Sequence, residues 1–202
     1  MTEISVASSS LDNQESVRYA VEFAIEHNFN GVEFNAPEIS LSKQNLVDLK
    51  WAHDMSQEHD LRYTHHFPPS ALPGSHVAAT RARDLEDFGQ EAYVAGELGV
   101  EVIVLHPGRL HVPGVEQGEE SDDDRALAMD FFIEWVKEAA IEAENADVII
   151  GLENMHYNPG WVIRSHKELA DAVDEIDSPA VGITLDVGHA WGSGGIDAGI
   201  ET

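Results

Sequence analysis

The 202-residue chain contains no cysteine, which excludes disulfides, thiolate metal sites and cysteine nucleophiles. Positive charge is also scarce: 11 lysines and arginines stand against 38 aspartates and glutamates, for a formal net charge of −27. Four of the basic residues are lysines, Lys43, Lys50, Lys137 and Lys167. No basic patch of the kind that holds nucleic acid is visible, which argues against a nucleic-acid partner. No apolar run approaches the roughly 20 residues of a membrane-spanning helix, and Met1-Thr2-Glu3 lacks the basic head of a signal peptide. The expectation is a cytoplasmic protein with no membrane partner. No G-x-G-x-x-G follows the first apolar run, where Ser8-Ser9-Ser10 stands instead, so a dinucleotide-binding loop is absent there.

Hydrophobic residues nevertheless make up 43% of the chain and recur with clear periods, so the acidity does not signal disorder. Self-repulsion on this scale destabilises a compact state in dilute buffer. It is tolerated where molar salt screens charges within a few ångströms. The composition therefore predicts a halophilic protein, from a salt-accumulating organism, that is stable in high salt.

Strand-like and helix-like segments alternate from end to end. Apolar or β-rich runs cover 4–8, 31–35, 61–67, 101–106, 148–155 and 181–187, with helical periods over 16–27, 43–59, 78–98, 123–145 and 167–175. Strand starts recur every 30 to 45 residues or so, close to one βα unit of an eightfold barrel. Runs such as Val102-Ile103-Val104-Leu105 are apolar throughout, as in strands buried on both faces of a parallel, helix-covered sheet. The fold class is α/β, and the (β/α)8 TIM barrel is preferred over an open doubly wound sheet. Residues 1–202 read as a single domain of about six βα units, with no linker or low-complexity tract.

Polar residues interrupt the strands at their C-terminal ends. Strand two ends in Glu33, strand three in His65-His66, strand four in His106-Pro107-Gly108, strand five in Glu153-Asn154, and strand six in Asp186-Val187-Gly188-His189. Parallel α/β folds bring these ends to one rim, where such enzymes place their active sites. Imidazoles and carboxylates converging there suit a divalent metal with mixed oxygen and nitrogen coordination. A lone histidine at a strand end is commonly a hydrogen-bonded structural residue. Glu153 and Asp186 are harder to explain in that way, because each follows an apolar stretch where an unpaired carboxylate is costly. His27, His53, His59 and His166 fall on helices and read as exposed or half-exposed polar positions. His156, Tyr157 and Trp161, in the loop after strand five, either line a pocket or pack the loop.

The segments Gly31-Val32-Glu33-Phe34, His66-Phe67-Pro68, Leu105-His106-Pro107-Gly108, Leu152-Glu153-Asn154 and Leu185-Asp186-Val187-Gly188-His189 together resemble the xylose isomerase-like TIM barrels. That superfamily contains sugar phosphate isomerases/epimerases and endonuclease IV. In the isomerase branch the resemblance implies Glu153 and Asp186 as metal ligands and His189 as a contact to substrate hydroxyls. In the endonuclease branch it implies His66, His106, Glu153, Asp186 and His189 as zinc ligands. The family's H-x-P spacing favours His66 over His65. The family barrel has eight strands, with a further metal-binding histidine on strand seven and a glutamate on strand eight. The expectation is a fragment of a longer chain, in which 192–197 leads toward the next helix.

The resulting expectation is a metal-dependent isomerase or epimerase that moves a proton next to the carbonyl of a sugar or sugar phosphate. Glu153 serves as a base and His189 stabilises oxygen charge. His66 and His106 line or ligate a manganese, magnesium, cobalt or zinc ion. Glu33, His156 and Trp161 meet the substrate. An endonuclease IV-like phosphodiesterase and a non-catalytic barrel fragment are the alternatives. The 202-residue chain alone is expected to be inactive, and to be unstable or homo-oligomeric through the edges of its first and sixth strands.

Overall fold

The computed structural model describes residues 3–36, 39–192, 195 and 197. Of the expected connection over 192–197, residues 193, 194 and 196 lie outside the described residues. The elements follow in strict alternation: β1 (Ser5–Ala7), α1 (Val17–Glu26), β2 (Gly31–Asn35), α2 (Leu46–His59), β3 (Arg62–His66), α3 (Ala78–Leu98) and β4 (Val100–Leu105). They continue with α4 (Asp122–Ala146), β5 (Ile149–Glu153), α5 (His166–Ile176), β6 (Val181–Thr184) and α6 (Val187–Trp191). Single 3-10 turns occupy Ser8–Ser10 and Leu41–Lys43. The strands pair in sequence order, β1 to β6, and every pairing is parallel. This is the progression of a TIM barrel through six βα units, as the alternation predicts.

The two faces of the sheet differ in kind. Val32, Phe34, Tyr63, Ile103, Leu105, Ile150 and Leu152 are buried on the helix side. They meet Ala20, Val21 and Ala24 of α1, Phe88, Ala92 and Ala95 of α3, and Phe132, Val136, Ala139 and Ala143 of α4. Alanines on the helices let them approach the sheet closely, and the large rings fill what remains: Phe67, Phe88 and Trp135 meet edge to face at 5.4 and 5.7 Å. Each such side chain contributes about 1.5–3 kcal/mol by leaving water. The inner face mixes small and polar residues with Val102 and Val104 of β4. A Cβ on Gly151 would lie 2.2 Å from Thr184 Oγ1 and 3.0 Å from Val102 Cγ1, so β5 carries glycine where its neighbours crowd in.

Helix ends follow the local chemistry. Ser16, Asn45 and Ser165 cap α1, α2 and α5 by accepting the backbone N–H of Tyr19, Asp48 and Glu168. Ser121 and Asp124 form a reciprocal capping box at the start of α4. Three helices end on an aspartate in the left-handed region: Asp60, Asp147 and Asp177 have φ of 55°, 56° and 50°. A short acid tolerates that conformation better than most side chains but sets a negative charge at the negative end of the helix dipole.

Most expected boundaries hold to within two residues, and two shift by three. Residues 43–45 precede α2 instead of opening it, because Lys43 closes a 3-10 turn and Asn45 is the cap. The sixth strand stops at Thr184 and does not run to 187, because Asp186 caps the helical turn α6. No helix among the described residues is long and apolar enough to cross a membrane.

Candidate functional site

Parallel pairing carries the C-terminal ends of β3, β4, β5 and β6 to one rim, and Glu153 is the hub there. It is the last residue of β5 and only 5% exposed. Its Oε2 lies 3.1 Å from His106 Nε2 and 3.3 Å from His66 Nε2, while its Oε1 lies 3.0 Å from His189 Nδ1. Burial pushes the Glu153 carboxyl up, but hydrogen bonds and charge from His106 and His66 outweigh it and hold the group at about 2. The reciprocal effect falls on His66. Burial lowers its imidazolium, and the hydrogen bonds to Glu153 and to the Phe67 carbonyl more than compensate, so its pKa is raised.

The imidazoles are held in different ways, and His189 Nδ1 donates to Asn154 O at 3.0 Å. His66 Nδ1 donates to Phe67 O at 2.9 Å, which aims Nε2 at Glu153. The rings of His66 and His106 meet edge to face at 4.8 Å. His189 stands on α6, one turn past Asp186, and its backbone N–H donates to Asp186 Oδ1 at 2.6 Å. Asn154, for which the sequence reading had no role, braces this turn from both sides. Its Oδ1 accepts from Asp186 N at 2.6 Å and its Nδ2 donates to Asp186 O at 2.9 Å.

Two trios of ligand-type groups share Glu153: His66 with His106, and Asp186 with His189, the donor atoms of each trio lying within 4.8 Å of one another. The donor set fits a divalent metal. It combines a buried carboxylate with imidazole nitrogens, and the lone pair that takes a proton at Nε2 is the one that binds a cation. His106 Nδ1 is buried with no hydrogen-bond partner, so that ring is oriented by its Nε2 contacts.

The remaining sequence-predicted residues stand around this hub. Glu33, on the inner face of β2, accepts from Asn35 Nδ2 at 2.8 Å and adds negative potential at His66. His156 is exposed, with its ring 5.5 Å from that of His189 and 6.1 Å from that of Trp161. Trp161 is 5% exposed, and its ring lies 6.5 Å from His106. His65 goes elsewhere: fully buried, it faces the helices and lies 3.3 Å from Glu91 of α3. The helix histidines do not join the site; His27 and His59 are exposed and His53 and His166 half-buried. A groove of about 840 Å³ between α3 and α4, lined by Tyr93, Phe131 and Ile141, is on the helical exterior and holds none of these groups.

Comparison with known proteins bears on the fold and the family. A protein of Methanocaldococcus jannaschii, described only as uncharacterised, is 30% identical over 178 residues, which is 87% of this chain and 57% of that protein. The chain thus spans a little over half the length of that relative. A D-tagatose 3-epimerase-like protein superposes with a TM-score of 0.75 at 27% identity, over 94% of this chain and 66% of its own. A D-psicose 3-epimerase solved in the presence of D-fructose gives 0.77 at 16% identity, over 93% and 64%. An AP endonuclease, family 2, from Brucella melitensis gives 0.71 at 18% identity, over 97% and 72%. The family model of xylose isomerase-like TIM barrels matches residues 21–201. With that match across most of its length, the chain belongs to the xylose isomerase-like TIM barrel family.

Proposed function

We propose that this chain carries the metal centre of a sugar isomerase or epimerase that moves a proton next to a carbonyl. The observation that carries the reading is the Glu153 carboxylate, buried at a strand-end rim with three imidazole nitrogens within 3.3 Å of its oxygens. Glu153 and Asp186 would hold the ion, with His66, His106 and His189 as further donors. A divalent ion at such a centre supplies Lewis acidity, which lowers the cost of an enediolate. Glu153 would serve as one base, taking a proton from carbon, and a second group would return it to the carbon. His189, beside Glu153 and exposed on one side, stabilises charge on a substrate oxygen. Glu33, His156 and the edge of Trp161 frame the position of the substrate. The similarity to the D-tagatose 3-epimerase-like protein lends support, since that protein is named for a ketohexose.

The test is solvent exchange. The full-length protein, supplied with manganese and a ketohexose in heavy water, is expected to incorporate deuterium on the carbon next to the carbonyl, and Glu153→Gln to abolish this. Retention of every carbon-bound proton across a ketose panel would overturn the reading.

A second reading, metal-assisted phosphodiester cleavage, is favoured by one observation: His66 and His106 both address the same oxygen of Glu153, a set rich in imidazole. Cleavage of an abasic-site duplex with two or three zinc ions per chain would support it, and one manganese-type site with no nicking would remove it.

A further inference from the structure

Arginine is rare in this chain, and most of it is spent. Arg18 pairs with Asp48, Arg62 with Glu3 and Glu101, Arg83 with Asp84, and Arg125 with Glu168. Arg81 donates to the Ser75 carbonyl, and Arg164 to those of Pro159 and Trp161. Among the described residues Arg109 alone of the arginines makes neither an ion pair nor a side-chain hydrogen bond. Its guanidinium lies over the Trp161 ring, 4.6 Å from the centroid. Carboxylates are abundant, with 38 in the chain, so their scarcity does not explain an unpaired guanidinium.

Its position is built. The loops after β4 and β5 pair as a short antiparallel bridge, Arg109 opposite Trp161, with Leu110 N donating to Gly160 O at 2.8 Å and Val162 N to Gly108 O at 3.2 Å. Gly108 has φ of 82°, and a Cβ there would lie 2.9 Å from Pro73 Cδ, so the turn that delivers Arg109 depends on glycine. Trp161 is itself fixed, 5% exposed, with its ring edge-on to His106 at 6.5 Å. That separation and the 4.6 Å stacking distance together bound the reach from the His106 ring to the guanidinium. At about 1.5 Å per bond, a phosphorylated or oxidised sugar is on the order of 7 Å from carbonyl to terminal anion, which suits that reach.

We infer that Arg109, laid flat on Trp161, is the specificity-determining residue that binds an anionic group, phosphate or carboxylate, at the end of the substrate remote from the Glu153 centre. The inference rests on the sugar reading proposed above and narrows its substrate class to sugars that carry such a group. A guanidinium presents a planar fork that matches both anions with two parallel hydrogen bonds. Stacking on Trp161 fixes the plane of the fork and strips water from one face, which lowers the cost of ordering it on binding. A local cation favours such a ligand here, because the net charge of −27 repels an approaching anion.

Calorimetric titration of the full-length, manganese-loaded protein with D-fructose, D-fructose 6-phosphate and D-fructuronate tests this. Arg109→Met keeps apolar cover on Trp161, and Arg109→Lys keeps a point charge without the fork. The wild type is expected to prefer a charged ligand over D-fructose, and Arg109→Met to lower that preference about tenfold or more, with partial recovery in Arg109→Lys. Preference for the 6-phosphate or for the fructuronate identifies the anion, and either result supports the inference. A phosphate-dependent shift of the Trp161 indole N–H resonance, lost in Arg109→Met, is the accompanying spectroscopic signature. Equal binding of charged and neutral sugars, unchanged in Arg109→Met, overturns the inference and leaves the sugar reading standing. Binding of none of the three overturns the inference, while the sugar reading is decided by the exchange experiment. Tight binding of an abasic DNA duplex that is lost in Arg109→Met also overturns it, by assigning the cation to a nucleic-acid phosphate.

Discussion

His65 and His66, adjacent in β3, send their imidazoles through opposite faces of the sheet, and each ends 3.3 Å from a glutamate. His65 meets Glu91 of α3 on the helix side, and His66 meets Glu153 on the inner side. The first pair anchors a turn: Glu91 also accepts from Leu41 N at 2.7 Å and from the hydroxyls of Ser40 and Ser42 at 2.5 and 2.6 Å. The second pair belongs to the candidate metal centre. One strand thus couples the scaffold of the β2–α2 loop to the site.

Removing either carboxylate from the centre is expected to cost metal affinity by at least about 100-fold, since a charge and a ligand go together. Glu153→Gln and Asp186→Ala in the full-length protein, titrated calorimetrically with manganese and zinc, check this. Near-native affinity in either variant would place the site elsewhere.

Stability in acid is expected to depend on Glu91. Burial raises its carboxyl, but hydrogen bonds from His65, Ser40 and Ser42 dominate and hold it at about 2, against an ordinary 4.5. A depressed folded-state pKa contributes stability in full above the unfolded value. That contribution is lost as pH falls from about 4.5 toward 2. Glu91→Gln is therefore expected to be less stable at neutral pH, and its acid limb flatter by on the order of 3 kcal/mol across that window. Urea melts at a series of pH values measure it; parallel loss in both proteins would show that the network is not ionic.

Gly151→Ala is expected to destabilise the sheet by about 1–3 kcal/mol, because the new methyl meets Thr184 and Val102 on the inner face. Gly151→Ala combined with Thr184→Ala should recover most of the loss. If the double variant is no better than the single one, the crowding lies elsewhere.

The aspartates at helix C-termini lead to a salt-linked expectation. Replacing exposed Asp147, φ 56°, with glycine removes both backbone strain and an unfavourable charge. Asp147→Gly should gain about 1 kcal/mol in dilute buffer and less in molar potassium chloride, where the charge is screened. The parent chain, at a net charge of −27, should itself melt higher as salt is added. Thermal melts across a potassium chloride series decide both, and a flat series would remove the halophilic reading.

The β/α alternation is legible in the chain because its causes are local. Apolar runs report strands buried on both faces, serine and asparagine report helix starts, and α3 emerges at 78–98 as the periodicity predicts. The rim residues Glu153, Asp186, His66 and His106 are legible for a related reason: a polar residue at the end of an apolar parallel strand has one rim to occupy. Even the division of labour between His65 and His66 has a local trace, since Leu61, Tyr63 and Phe67 share the parity of His65 and are buried with it. Other features depend on contacts between residues far apart in sequence, which no local period encodes. Glu91 sits on a helix rich in exposed acids, and only packing of α3 against β3 and the Leu41–Lys43 turn makes it a buried anchor. Asn154 becomes the brace of Asp186 only when β6 pairs beside β5. The same pairing across the rim lays Arg109 on Trp161, because two loops with no shared period meet only after β4 and β5 have aligned.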